Sequence, residues 1–353
     1  MSDNIAYTQD GQTKKTTYTF FRGENANFYP TDESLTLSNF LRDYVAKGLL
    51  PASPPIAKIS AIVPFGSCFA SNIQDYLVER GYNVLTKDGR KNYISWMGDG
   101  IVNTFAIRQQ FEWGWEGKVP QVELWHGYRA EVFGYDEEIR RSTKDMFDEC
   151  EAFIITLGLS EVWYDEPTQS AFWRAVPKEN YDPSRHKFRI STVAENRENL
   201  EAIRALIRRH RPDAQLIFTL SPVPLTATFR DMGCISANAV SKAVLRSAID
   251  EFMRGPAKDD ANTHYFPSYE VVTGLFMNPF MEDRRHPHAH VIDLNMRIFE
   301  RYFCQSGMTD DDLNAVLKEA MRLDHMVACK GHFAVPRKFT PKGGRAVPRP
   351  MLD

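Results

Sequence analysis

Long apolar runs are missing from this chain. No stretch of roughly 18 apolar residues occurs, so no membrane span is expected. The segment from Met1 to Thr17 is polar and lacks the apolar centre of a secretion signal. Cysteine is scarce. The five residues, Cys68, Cys150, Cys234, Cys304 and Cys329, are odd in number, far apart and never in a C-x-x-C pair. That spacing argues against a disulfide framework and against structural zinc, and it fits a reducing compartment. A cytoplasmic location is therefore expected, with no cofactor and no metal. A one-sided charge is missing too. Forty-three Lys and Arg face 46 Asp and Glu, for a net charge of −3. Such a balance gives no electrostatic footprint for nucleic acid. Neither G-x-x-x-x-G-K-[ST] nor G-x-G-x-x-G is found, which counts against a phosphate-cradling loop of either kind. No internal repeat is visible.

What is present is ordinary globular material. Hydrophobic residues make up 43% of the chain, enough to build a core without staples. A length of 353 residues suits two average domains, or one α/β domain with insertions. Apolar runs of strand type alternate with helical patterns: Lys58 to Phe65, Tyr82 to Thr86, Ala152 to Thr156, Gln215 to Leu220 and Asn262 to Phe266 read as strands. Helical patterns cover Thr31 to Lys47, the segment from Phe69, Ile101 to Trp113, Asp136 to Cys150, Ser191 to Arg211, Ile235 to Met253, Val291 to Phe303 and about Asp310 to His325. This alternation implies a mostly parallel sheet covered by helices on both faces, a three-layer doubly wound α/β fold of flavodoxin-like type. Pro51, Pro54 and Pro55 mark a linker. The expected organisation is an N-terminal wrapping segment (1–56), an α/β domain (57–305) with an insertion near 112–135, and a C-terminal helix with a basic tail (306–353). The insertion holds Trp113, Trp115, Trp125 and His126 and reads as the wall of a cleft or, equally well, as a satellite hydrophobic cluster.

The chain is organised around Ala61-Ile62-Val63-Pro64-Phe65-Gly66-Ser67-Cys68-Phe69-Ala70. An apolar strand ends in a glycine, and a helix pattern follows at once. The turn puts Ser67 at a helix N-terminus beyond the carboxyl end of a strand. Open α/β sheets bind their ligands there. Ser67 suits a helix cap as well as a nucleophile. A second strand turns at Leu157-Gly158-Leu159-Ser160, and a third runs into Ser221-Pro222-Val223-Pro224. Far downstream, Asp283-Arg284-Arg285-His286 sets a carboxylate three residues before an imidazole. Such a carboxylate can orient the ring within one loop, and the ring can take a proton near neutral pH.

Other groups compete for attention. Ser160 in Gly158-Leu159-Ser160-Glu161-Val162 is one glycine short of the nucleophile elbow. Cys68 at a helix start is either a reactive thiol or a small buried hydrophobe. His286, His288 and His290 alternate as metal ligands can, but Pro287 interrupts them. The tail residues Arg337, Lys338, Lys342, Arg345 and Arg349 suit a solvated segment.

Gly66-Ser67-Cys68-Phe69-Ala70 reads letter for letter as the motif that names the GSCFA family, and the chain resembles that family from roughly Phe20 to Phe303. The GSCFA family itself looks like a branch of the SGNH/GDSL hydrolases. Those enzymes keep a nucleophilic serine in a first block, a glycine and an Asn-type donor in two middle blocks, and D-x-x-H near the C-terminus. Ser67 matches the first block; Asp283 and His286 match the last. Gly100 is taken for the second block in preference to Gly98, and Gly158 with Ser160 for the third. Ser160 stands where the wider superfamily has asparagine, and His288 where it often has a small polar residue.

The resemblance implies a serine esterase or O-acyltransferase. Ser67 would attack an acyl ester, His286 would move the proton and Asp283 would orient His286. Gly100, Gly158 and Ser160 would support the oxyanion. The implied partner is a small-molecule ester, with an acylated carbohydrate as the expected class; the oligomeric state is left open. Two other classes stay open. One is a non-catalytic carbohydrate- or partner-binding protein, with Trp113, Trp115 and Trp125 as a stacking platform. The other is a phosphate-ester enzyme using the helix N-terminus as an anion site.

Overall fold

The computed structural model describes residues 3–9, 12–18, 27–125 and 132–329. Strands β1 (Asp3–Gln9) and β2 (Gln12–Tyr18) form an antiparallel hairpin. The α/β unit opens with strand β3 (Ile62–Gly66) and helices α1 (Phe69–Glu79), α2 (Tyr93–Met97) and α3 (Thr104–Glu116). A small hairpin, β4 (Leu124–Trp125) and β5 (Val132–Phe133), precedes helix α4 (Glu137–Glu149). Strand β6 (Ala152–Leu157) is followed by an antiparallel pair, β7 (Glu161–Asp165) and β8 (His186–Ile190), and by α5 (Val193–His210). Then come β9 (Gln215–Leu220), α6 (Cys234–Arg254), β10 (Thr263–Phe266), α7 (Ser268–Leu275), α8 (Ala289–Phe303) and α9 (Asp310–Cys329).

Four strands pair side by side in the order β10-β9-β6-β3, every pair parallel. Their side chains alternate between two buried faces, as the pleat requires. Val63, Phe65, Phe153, Ile155, Leu216 and Phe218 pack with α3, α4, α5 and α6. Ile62, Ile154, Ile217 and Phe266 pack with α1, α7, α8 and α9. Two faces buried under helices make three layers. Each fully buried Leu, Ile or Phe in them contributes about 1.5–3 kcal/mol of hydrophobic free energy.

The expected second strand is reduced to a single parallel bridge between Val84 and Ile62. Beyond it Leu85–Lys87 closes a 3₁₀ turn, leaving too few extended residues for a ladder. The bridge still shows the winding. From β3 the chain steps outward to Val84 and then returns past β3 to β6, so the direction of winding reverses between β3 and β6. A crevice opens at the carboxyl ends of strands at such a point.

Three further expectations change. Thr31 to Lys47 is not one helix. It holds a 3₁₀ turn (Ser34–Thr36) and a single π-type turn (Leu41–Val45), because Leu37 is extended and breaks the run. Helix α3 runs on to Glu116, so Trp113 and Trp115 are helix residues. Both indoles are buried, as is that of Trp125. Trp113 stacks on Tyr93 and Trp115 on Phe111; Trp125 stacks on Phe172 and donates its Nε1 hydrogen to Ala175 O at 3.0 Å. Indoles buried in this way offer no stacking platform to a sugar. His126 and the basic tail lie outside the described residues. Among the described residues no helix is long and apolar enough to cross a membrane.

Candidate active site at the carboxyl edge of the sheet

The Gly66 turn is made by the close approach of two strands. Gly66 has φ +128°, and a Cβ there would lie 2.1 Å from Thr156 O on β6. Only glycine tolerates both. Ser67 is then stitched to Thr156. Its N–H donates to Thr156 O at 2.9 Å and lies 2.6 Å from Thr156 Oγ1. Its hydroxyl donates to Thr156 Oγ1 at 2.9 Å and accepts from Phe69 N at 3.3 Å. Ser67 is only 3% exposed. Cys68, not Ser67, takes the N-cap position of α1, one residue later than the cap reading places it. The serine instead braces the first turn from behind.

Asp283 and His286 are brought together as expected. The loop is closed by Met281 N–H donating to His286 O at 2.8 Å and by Arg284 in a left-handed conformation (φ +58°). Asp283 Oδ1 accepts from the backbone N–H groups of Arg285 at 2.9 Å and His286 at 3.0 Å. Its Oδ2 accepts from His286 Nδ1. Partial burial pushes this carboxyl up, but the hydrogen bond from His286 and the two backbone N–H groups outweigh it and bring it down to about 2. The carboxylate is thus ionised and can only accept. Nδ1 must carry the hydrogen of this bond, which leaves Nε2 as the nitrogen that can take up a proton. Arg285 Nε and Nη2 each lie 3.4 Å from Pro224 O, just past β9, and anchor the loop at the carboxyl edge of the sheet. Among the described residues no hydrogen bond joins His286 to Ser67.

Gly158 and Ser160 are held from inside the protein. Gly158 N–H donates to Val102 O at 2.8 Å, and a Cβ on Gly158 would meet Val102 Cβ at 2.8 Å. Ser160 is fully buried; its N–H donates to Ser241 Oγ at 2.8 Å and its hydroxyl lies 3.3 Å from the same oxygen. Gly98 packs against Phe65, while Arg174 lies across Gly100. Arg174 Nη2 donates to Met97 O at 3.1 Å and stands 3.5 Å from Asp99 Oδ1.

Sequence reasoning missed Lys242. It is buried on α6, and its Nζ donates to Gly158 O at 2.7 Å and Ser221 O at 2.8 Å. It therefore ties together the ends of β6 and β9. Burial lowers its pKa from 10.5 to about 7, with the charge of Cys68 pulling the other way. The signal was available: Lys242 falls on the apolar face that carries Ala237, Ser241, Leu245 and Ile249. Thr156, the buried polar residue near the end of β6, was missed as well. Cys68 is partly exposed. Burial holds its thiol above the ordinary range, with Asp99 adding to the rise and Arg285 and Lys242 opposing it. Of the alternating histidines, His288 and His290 stack on each other with ring centroids 5.4 Å apart. Among the described residues no group of His, Cys, Asp and Glu could hold a metal ion.

A family model for the GSCFA family matches residues 61–299, more than half of the chain. The chain belongs to the GSCFA family. The matched span takes in the Gly66–Cys68 turn, the ends of β6 and β9 and the Asp283–His286 loop, so the residues described above lie inside the GSCFA domain. A comparison with curated proteins gave no match.

Proposed function

We propose that this GSCFA protein works on acyl esters, as an esterase or an O-acyltransferase of SGNH type. The observation that carries the reading is the Asp283–His286 pair. An ionised carboxylate fixes the tautomer of an imidazole whose Nε2 has no protein partner among the described residues, and Arg285 moors that loop beside the strand ends. That is the base-and-orienter half of a triad. The attacking group comes from the Gly66–Cys68 turn, the only nucleophile-bearing strand-to-helix turn in the family motif. Because the N–H groups of Gly158, Ser160 and Gly98 are spent on Val102, Ser241 and Ile94, charge on the tetrahedral oxygen falls to the N-terminus of α1 and to Gly100.

An acylated carbohydrate remains the substrate class we propose, from the family resemblance alone. The cytoplasm is the proposed location, on the strength of four free cysteines among the described residues. Release of nitrophenol from p-nitrophenyl acetate tests the reading. His286→Ala should lower turnover by about 100- to 10,000-fold, the usual contribution of a positioned base. Turnover equal in wild type and His286→Ala would remove the pair from the chemistry.

A further inference from the structure

We propose that a second cleft, outside the crevice at the sheet edge, binds a neutral sugar. This site is independent of the acyl-ester reading.

The cleft lies between the β4–β5 hairpin and the β7–β8 hairpin. It holds about 500 Å³, within the roughly 300–1,000 Å³ usual for small-molecule sites. Residues 120–124, Phe133 and Tyr135 line it from the first hairpin and its flanks. Asp165, Phe172, Asn180, Asp182, Arg185 and His186 line it from the second and from the chain between its strands.

His186 is the anchor. It pairs across the ladder with Asp165 at the loop end of β7 and β8. Its N–H donates to Asp182 O at 2.8 Å, and Asp182 N–H donates to His186 Nδ1 at 3.1 Å. An Nδ1 that accepts carries no hydrogen, so the ring hydrogen sits on Nε2. The residue is only 8% exposed, and its ring stands edge-on to Phe172 with centroids 5.1 Å apart. Among the described residues this Nε2–H has no acceptor. The hydroxyl of Tyr135, just after β5, is buried and also without a partner. A hydroxyl left in that state costs about 1–3 kcal/mol.

Acceptors converge on the same space. Asp182 spends Oδ1 on the N–H and hydroxyl of Ser184, at 2.8 and 2.6 Å, and keeps Oδ2 free. The Asn180 amide can donate and accept, and it has no protein partner among the described residues. Charge and hydrogen bonding then select the ligand. A carboxylate or phosphate would face Glu123, Asp165 and Asp182 with one guanidinium, Arg185, already paired to Asp165 at 2.9 Å. An ammonium would leave His186 Nε2–H without an acceptor. A hydroxyl both donates and accepts, and a sugar carries several of them beside apolar C–H faces that suit Leu124, Phe133 and Phe172. The cleft also adjoins the crevice. Phe172 lines the cleft and Arg174 lies across Gly100, and two residues of chain span at most about 7 Å.

Saturation-transfer difference NMR on the full chain tests the site, with maltose, cellobiose, lactose and di-N-acetylchitobiose as neutral probes and glucuronic acid as the anionic one. At least one disaccharide should receive saturation, and glucuronic acid should not. His186→Phe keeps a ring against Phe172 and removes Nε2–H; Asn180→Ala removes a half-exposed amide. Each should weaken the bound disaccharide by at least about tenfold, the scale of one hydrogen bond to a ligand. Far-ultraviolet circular dichroism checks that each variant is folded. His286→Ala should bind the disaccharide as wild type does; loss of binding there would put the sugar in the crevice and overturn the cleft. Saturation of none of the four disaccharides, equal saturation of glucuronic acid, or an affinity unchanged in either cleft variant also overturns it. None of these outcomes bears on whether the protein cleaves p-nitrophenyl acetate.

Discussion

Lys242→Met removes a buried charge and leaves a side chain of similar length. In the unfolded chain Lys242 titrates near 10.5, and in the folded protein at about 7. Between those values the unfolded chain holds the proton and the folded protein has lost it. Stability then rises with pH. The limits agree: below about pH 7 both states are charged and the cost of burying the ammonium is carried in full, and above 10.5 neither is charged and the cost is gone. Over the whole range the displacement corresponds to about 5 kcal/mol, of which roughly 2 kcal/mol falls between pH 7 and pH 9. The variant has no such proton. Its own cost, two carbonyls at Gly158 and Ser221 without their donor, is about 1–3 kcal/mol each and independent of pH. The slope is therefore diagnostic where the absolute difference is not. Urea unfolding, followed by tryptophan fluorescence at pH 7 and pH 9, should show wild type gaining roughly 2 kcal/mol relative to Lys242→Met. Cys68 shares the field, so the comparison is repeated in Cys68→Ala. Parallel trends in wild type and variant would refute the buried, depressed lysine.

Three other outcomes are expected. Gly66→Ala forces a Cβ onto Thr156 O and should destabilise the fold by at least about 3 kcal/mol, read as a fall in the urea midpoint. Asp283→Asn should lower kcat on p-nitrophenyl acetate by about a thousand- to ten-thousandfold with KM little changed, because an amide no longer holds His286 with Nε2 basic; a loss confined to KM would mean that Asp283 binds substrate instead. Trp113→Ala should cost about 3–5 kcal/mol in unfolding free energy, as for other large core aromatics, and leave any sugar affinity of the folded protein where it was.

Much of this molecule is legible in its sequence because the local signals agree. The runs at Ala152 and Gln215 are continuous and apolar, and both are strands buried on two faces. Thr192 with Glu195 forms the capping box that starts α5. Asp283 and His286 are legible because a three-residue spacing closes a loop by itself. Failures occur where long-range packing decides. Val84 is extended for too short a stretch to form a ladder. The three tryptophans read equally well as a cleft wall or a core until α3 and α4 are docked. Lys242 lies on a face that only its partners on β6 and β9 explain. The bond between Ser67 and Thr156 spans strands 89 residues apart in sequence, and no local pattern records it.

The same long-range bond governs the chemistry. Parallel strands end with carbonyls and N–H groups that have no neighbour, and at the carboxyl edge these must be satisfied or cost free energy. Here Thr156, Ser241 and Lys242 satisfy them from within, at the turn after β3, at Ser160, and at Gly158 and Ser221. The buried hydroxyls of Ser67 and Ser160 are each bonded to one of these groups, to Thr156 and to Ser241. The Nε2 of His286 has no protein partner among the described residues, its Nδ1 being held by Asp283. The groups that close the edge of the sheet and the group that would take a proton there are therefore different residues, drawn from different parts of the chain.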